Sequence, residues 1–119
     1  MPCPANASTI DLATFNELQA TAGAEFVSEL VGTFLEEAPQ MLAELRSAQA
    51  DGSAERFRRA AHSLKSNSQT FGALALGALA RDLELKGLGT DAEHDNAALD
   101  ALDAAYAQAA AGLKALRHG

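Results

Sequence analysis

One histidine in this chain stands where packing does not explain it. From Phe57 to Phe71 the apolar residues step at helical spacing. At 100° per residue, Phe57, Ala61, Leu64, Ser68 and Phe71 fall within about 40° of one direction, which predicts the buried stripe of a helix. His62 lies about 140° from that stripe. Arg58, His62, Lys65 and Gln69 step by four, three and four and form one strip along the helix, with Ser66 beside it. An unperturbed imidazole is largely neutral at pH 7 and nucleophilic, and cations beside it suit an anionic guest. The chemistry this spacing allows is a solvent-facing histidine that takes up and holds an anion.

The charge pattern around it is local. The chain of 119 residues has a net charge of -7, yet Arg56, Arg58, Arg59 and Lys65 are four of its nine basic residues and fall within ten positions. That reversal would draw an anion to His62 while the acidic remainder limits unspecific binding. The acidic balance also argues against a nucleic-acid partner. On composition and spacing alone, the competing reading is a solvated basic face with an incidental histidine. His94 and His118 read as ordinary exposed groups. No histidine has a second metal ligand at i+3 or i+4 on an obvious face and there is no Glu-x-x-His, so no metal site is expected. A Gly-x-Ser-x-Gly elbow, a Walker loop and a dinucleotide fingerprint are all missing. Glu84 and Asp82 read as surface partners of Arg81 or Lys86.

The elements that must position His62 are helices. Alanine and leucine dominate, aromatics are 5%, and no stretch alternates with period two. Residues 1–10 carry two prolines and read as a flexible tail, which also holds Cys3, the only cysteine. A short helix is expected over 11–20, with Leu12, Phe15 and Leu18 on one side and Asp11 as its cap. A second runs over 24–50, with Phe26, Leu30, Phe34, Met41 or Leu42, and Leu45 inward and a kink at Pro39. Asp51-Gly52 ends it, and Ser53 caps the His62 helix over 53–71. Gly72 either closes that helix or allows close contact in the turn. A fourth helix spans 73–86, with Leu76, Leu79, Ala80 and Leu83 inward. Gly87, Gly89 and Thr90 break the chain. The last helix starts near Asp91 or Asp95 and ends at Arg117, with Leu99, Leu102, Tyr106, Ala109, Leu113 and Leu116 on one face. Its acidic start and basic end suit the helix dipole. Short loops make neighbours antiparallel. The expected fold is all-α: an antiparallel four-helix bundle over 11–119 with a short N-terminal capping helix. No secretory signal and no membrane span is apparent, so a cytoplasmic, monomeric domain is expected. The starting Met and short tail suggest a free-standing one.

The segment RRAAHSLKSNSQTFGALALGALARDLE resembles the signature of the histidine-containing phosphotransfer (HPt) domain, and Thr33 to Pro39 resembles that family's second helix, proline included. The likeness covers most of residues 11–117. It implies a four-helix bundle that relays phosphoryl groups in two-component signalling, with His62 as phosphoacceptor and Lys65 as its neighbouring cation. Ser66 stands where many members have glycine, which bears on partner preference; Gly72 and Ala73 match the family's close turn. The imidazole is expected to attack through Nε2, because the other nitrogen lies nearer the backbone, with Lys65 and Arg58 balancing charge on the phosphoryl group. In the chemotaxis kinase's related domain a glutamate at similar spacing bonds the other ring nitrogen, and Glu84 matches it. Gln69 can bond a phosphoryl oxygen or a partner backbone, and Arg59 and Ser66 are further contact candidates. The implied partners are a response-regulator receiver domain or a hybrid histidine kinase. The chain itself needs no cofactor and catalyses nothing alone, because the receiver brings Mg²⁺. The partner patch is expected on the second and third helices, with Phe34 or Leu35 at its edge. A phosphate-independent helical adaptor for a receiver or kinase is the alternative. A kinase dimerisation module would need an ATP-binding domain, for which the chain has no room.

Overall fold

The computed structural model describes residues 10–88 and 92–118. Five helices follow one another: α1 (Leu12–Ala22), α2 (Ala24–Asp51), α3 (Ala54–Thr70), α4 (Leu74–Lys86) and α5 (Ala92–His118). Each start and stop has a local cause. Asp11 caps α1 by accepting the Thr14 N–H at 3.1 Å, and the Thr14 hydroxyl donates to the same carboxylate. Helix α2 runs through Pro39 and ends at Gly52, whose left-handed φ of 70° lets the turn close back on Ala48 and Gln49. Ser53 then opens α3 by accepting the Arg56 N–H at 3.4 Å.

The close of α3 fixes the relation of three helices at once. Gly72 has φ 83°, and the Ala73 N–H returns to the Ser68 carbonyl at 2.8 Å. The Gly72 carbonyl accepts the Asp11 N–H at 2.7 Å, so the start of α1 is stitched onto the α3–α4 turn. A Cβ at Gly72 would meet the Asp11 carbonyl oxygen at 2.7 Å, a collision with backbone that cannot move aside. Gly72 therefore serves both purposes expected of it, ending the helix and admitting a neighbour.

Pairings along the helices define the topology. Across α2 and α3, Phe34 meets Phe71 while Glu44 meets Arg56. Across α3 and α4, Ser68 faces Gly77 while His62 meets Glu84. Across α2 and α5, Leu35 meets Tyr106 while Arg46 meets Asp100 and Asp103. In each case one sequence number rises as the other falls, so these neighbours are antiparallel. The four long helices form the bundle and α1 lies on α2 and α3. The most extensive packing is between α3 and α4.

The core is built from Phe57 and Leu64 of α3, Val27, Val31 and Leu45 of α2, Leu76 of α4, and Leu99, Leu102 and Leu113 of α5. Each such side chain taken fully out of water contributes about 1.5–3 kcal/mol. The buried stripe of α3 contains every expected residue, Ser68 included, and Ala60 in addition; the Ser68 hydroxyl donates to the Leu64 carbonyl at 2.6 Å. On α5, Leu99, Leu102, Ala109 and Leu113 are buried, with Tyr106 and Leu116 partly so.

Three expectations need correction. Ile10, assigned to the tail, is buried at 1% exposure and belongs to the core. On α2 the inward face is Val27, Val31, Phe34, Ala38, Leu45 and Ala48, while Phe26 is exposed. On α1 only Phe15 is fully inward; Leu18 is partly buried and Leu12 is exposed. The expected tail over 1–9, with Cys3, the break at Gly89 and Thr90, and the helix start at Asp91 lie outside the described residues. So do the side chains of Arg117 and His118.

Candidate functional site

The rotation of α3 is fixed by its buried stripe, and that places His62 on the outer face. Its side chain is 57% exposed. Helix α4 supplies the second half of the site. Ala80 and Leu83 face the core, so Glu84 stands at the edge of α4 that borders α3. The two helices come close because Gly77 has no side chain: a Cβ there would lie 3.1 Å from Gln69 Cγ and 3.6 Å from Ser68 Cβ.

The result is a three-residue cluster. Glu84 Oε2 lies 2.6 Å from His62 Nδ1, and Glu84 Oε1 lies 2.8 Å from Lys65 Nζ. Both anchors are drawn in, Lys65 at 21% and Glu84 at 19% side-chain exposure, while the ring they hold stands in solvent. A carboxylate can only accept, so Nδ1 carries a proton, and in the neutral ring Nε2 is then the nitrogen with the lone pair. Nε2 has no hydrogen-bond partner among the described residues. The Lys65 ammonium, and after it His62, hold the Glu84 carboxyl below the usual carboxylate range, against the opposing pull of burial. The cluster ties down one ring nitrogen and leaves the other without a bond among the described residues.

The remaining site residues named from the sequence are near but not joined to it. Arg58 is exposed, makes no ion pair among the described residues, and lines a shallow groove with Glu55, Glu84, Leu85 and Lys86. Arg59 is paired with Glu55 at 3.1 Å. Ser66 is exposed, and its carbonyl accepts the Thr70 hydroxyl at 3.0 Å. Gln69 is exposed and packs its stem towards Gly77.

The ring of cations expected around His62 is smaller than the sequence implied. Arg56 points to the other side of α3, where it binds Glu44 at 2.9 and 3.0 Å, Asp51 at 2.7 Å and the Ser47 hydroxyl at 3.0 Å. With Arg59 on Glu55 and Lys65 on Glu84, Arg58 alone of the four is without a carboxylate. Glu84 pairs with Lys65 and His62 rather than Arg81 or Lys86. Phe34, expected at the edge of a partner patch, is 3% exposed and packs against Phe71 and Tyr106 at ring separations of 5.3 and 6.2 Å. Leu35 is partly buried, and its carbonyl accepts the Tyr106 hydroxyl at 3.3 Å.

What the residues alone missed is the bond between Lys65 and Glu84. No local pattern signals it, because it joins two helices. His94 lies on α5 in a separate groove with Leu79, Asp82 and Asp95. Among the described residues no group of three His, Cys, Asp or Glu is arranged to hold a metal, and no helix is long and apolar enough to cross a membrane.

Fold and site together define a helical bundle with one exposed imidazole held through its Nδ1. The family model for the Hpt domain matches residues 29–112, most of the chain. The fold is similar to the crystal structure of histidine-containing phosphotransfer protein B (HptB) from Pseudomonas aeruginosa PAO1, at a TM-score of 0.79 and 25% identity over 94% of this chain and 96% of that one. A search of curated proteins finds no match. The chain belongs to the Hpt domain family, and its function is histidine phosphotransfer in a phosphorelay. Its partners, by class, are receiver domains and kinases.

Proposed function

We propose that His62 is the phosphoacceptor and that Nε2 is the attacking atom. The observation that carries this is the tether: Glu84 holds Nδ1 at 2.6 Å while the ring stays 57% exposed, which leaves Nε2 as the free nucleophile. The donor is an aspartyl phosphate on a receiver domain or a phosphohistidine on a hybrid kinase. Because Nε2 already bears a lone pair, the ring needs no separate base. Phosphoryl transfer is largely positioning and charge neutralisation. Glu84 supplies the positioning by fixing ring and tautomer. Lys65 and Arg58 supply positive charge beside the incoming oxygens, Lys65 while still bound to Glu84 and Arg58 from a position without an ion pair among the described residues.

In this reading the chain is a carrier with no activity of its own. The receiver brings the Mg²⁺ and the acidic pocket, and one monomer holds a complete site. Gln69, Ser66 and Arg59 share the exposed face of α3 with His62 and contact the docked partner. Transient relay contacts of this kind are small, below about 1,200 Å².

The test is transfer of labelled phosphate from a phosphorylated receiver to the wild-type chain and to His62→Gln. Label on the wild type alone is expected. Equal labelling of both removes His62 from the role. Partner binding without acid-labile, alkali-stable phosphate on the wild type favours the phosphate-independent adaptor.

A further inference from the structure

We propose that Glu84 makes the transfer reversible: it keeps the Nδ1 proton on His62 throughout, so that the phosphorylated ring remains a cation and its N–P bond stays easy to break. The inference rests on the reading of His62 as phosphoacceptor and concerns what happens after the phosphoryl group arrives.

The geometry gives Glu84 two simultaneous tasks. Oε2 receives the Nδ1 proton at 2.6 Å, and Oε1 receives Lys65 at 2.8 Å. Consider the step from an acyl phosphate on a receiver. The donor's P–O bond breaks and its electron pair stays on the aspartate carboxylate. The Nε2 lone pair forms the N–P bond. The ring passes from neutral to cationic, with its Nδ1 proton in place. Onward transfer breaks N–P, the pair returns to Nε2, and the ring is neutral again. No proton enters or leaves in either direction.

That symmetry depends on the phosphorylated ring remaining protonated. If Nδ1 lost its proton, breaking N–P would expel an imidazolate, a far poorer leaving group than neutral imidazole. A carboxylate in contact with Nδ1 favours the protonated form. Lys65 acts against it from the other oxygen: by neutralising part of the carboxylate charge, it stops Glu84 from over-stabilising the cation. The two residues should therefore shift the protonation of the phosphorylated ring in opposite directions.

The other charges near the ring are accounted for. On α3, Glu55 and Arg59 are paired with each other at 3.1 Å and Arg58 is unpaired among the described residues. On α4, Lys86 lines the groove beyond Glu84. On the far side of α3, α2 contributes Glu37 and Glu44, the latter held by Arg56. Among the described residues Glu84 alone bonds the ring.

The experiment loads the full chain with phosphoramidate and follows the Nδ1 resonance of phospho-His62 by 15N NMR across pH, alongside its half-life at neutral pH. Wild type, Glu84→Gln and Lys65→Met are compared, with far-UV circular dichroism as a check on folding. Glu84→Gln is expected to lower the protonation midpoint of the phosphorylated ring by about one pH unit and to lengthen its half-life several-fold. Lys65→Met is expected to raise the midpoint. Phospho-His62 that forms in Glu84→Gln with an unchanged midpoint overturns this inference and leaves the acceptor reading intact. A lowered midpoint in Lys65→Met also overturns it. No phosphoryl group on His62 in any chain overturns both.

Discussion

Helix α3 carries a charge cluster on each of its two edges, and the two behave differently. On the α2 edge, Arg56 spends four of its five N–H donors on Glu44, Asp51 and Ser47. On the α4 edge, Glu84 is likewise spent on His62 and Lys65, but the cluster leaves Nε2 without a partner. Both clusters join α3 to a neighbour. Only the second has a reactive atom left over after its internal bonds are made. The unused ring nitrogen is what separates the two clusters.

The comparison can be broken by mutation. The largest expected effect is loss of phosphate uptake in His62→Gln, read as label transferred from a phosphorylated receiver. Helical circular dichroism should be unchanged, because the ring is exposed and contributes nothing to the core. Next, Glu84→Gln and Lys65→Ala should each slow transfer without abolishing it, by roughly tenfold to a few hundredfold in single-turnover assays, the range for losing one preorganised electrostatic contact. Arg56→Ala should do the reverse. Transfer should stay within about twofold of wild type, while the thermal midpoint falls by a few degrees as the α2–α3 clamp is lost. Transfer as slow in Arg56→Ala as in Lys65→Ala would erase the distinction between the two edges.

The smallest expected effect is in acid. Arg56 holds the Glu44 carboxyl below its usual range, as Lys65 and His62 do for Glu84. Both are therefore groups whose folded-state value is depressed. Their contribution to stability is present above the ordinary carboxylate range and is lost as pH falls through the depressed values. Arg56→Ala should lose less stability than wild type between pH 5 and 3 in denaturant titrations (about that window, from the ordinary carboxylate value downward), because its Glu44 has less to lose. A steeper loss in the variant would contradict the sign.

The fold was legible where one residue set satisfied one period. Every residue expected in the α3 stripe is buried, and only Ala60, a small residue at its edge, was missed. Helix α2 was harder. Phe26, Val27, Leu30, Val31, Phe34 and Leu35 form an arc too wide for periodicity to say which edge turns inward, and packing chose Val27 and Val31 over Phe26. Ala38 and Ala48 are fully buried, although alanine's small side chain marks neither face of a helix by its hydrophobicity. Ile10 was lost to the tail because the bond that brings it in, Asp11 to the Gly72 carbonyl, spans the chain.

The site divides along the same line. His62 and Lys65 share a helix, so spacing placed them together. Glu84 is 22 residues on, and the residues alone suggested a routine surface pair; the family resemblance pointed to the ring. The basic cluster misled because sequence shows where charges lie along α3 but not which carboxylates from α2 will reach them. Arg56 and Arg59 looked like neighbours of His62 and proved to be bound elsewhere.

The central claim is that the phosphoryl group bonds to Nε2 of His62 while Nδ1 stays tied to Glu84. Phosphorylating a chain labelled with 15N in its histidine rings and measuring one-bond 15N–31P coupling tests it directly. The account predicts coupling to Nε2 of His62 and a protonated Nδ1 beside it. Coupling to Nδ1, or a phosphoryl group on any other residue, would contradict it.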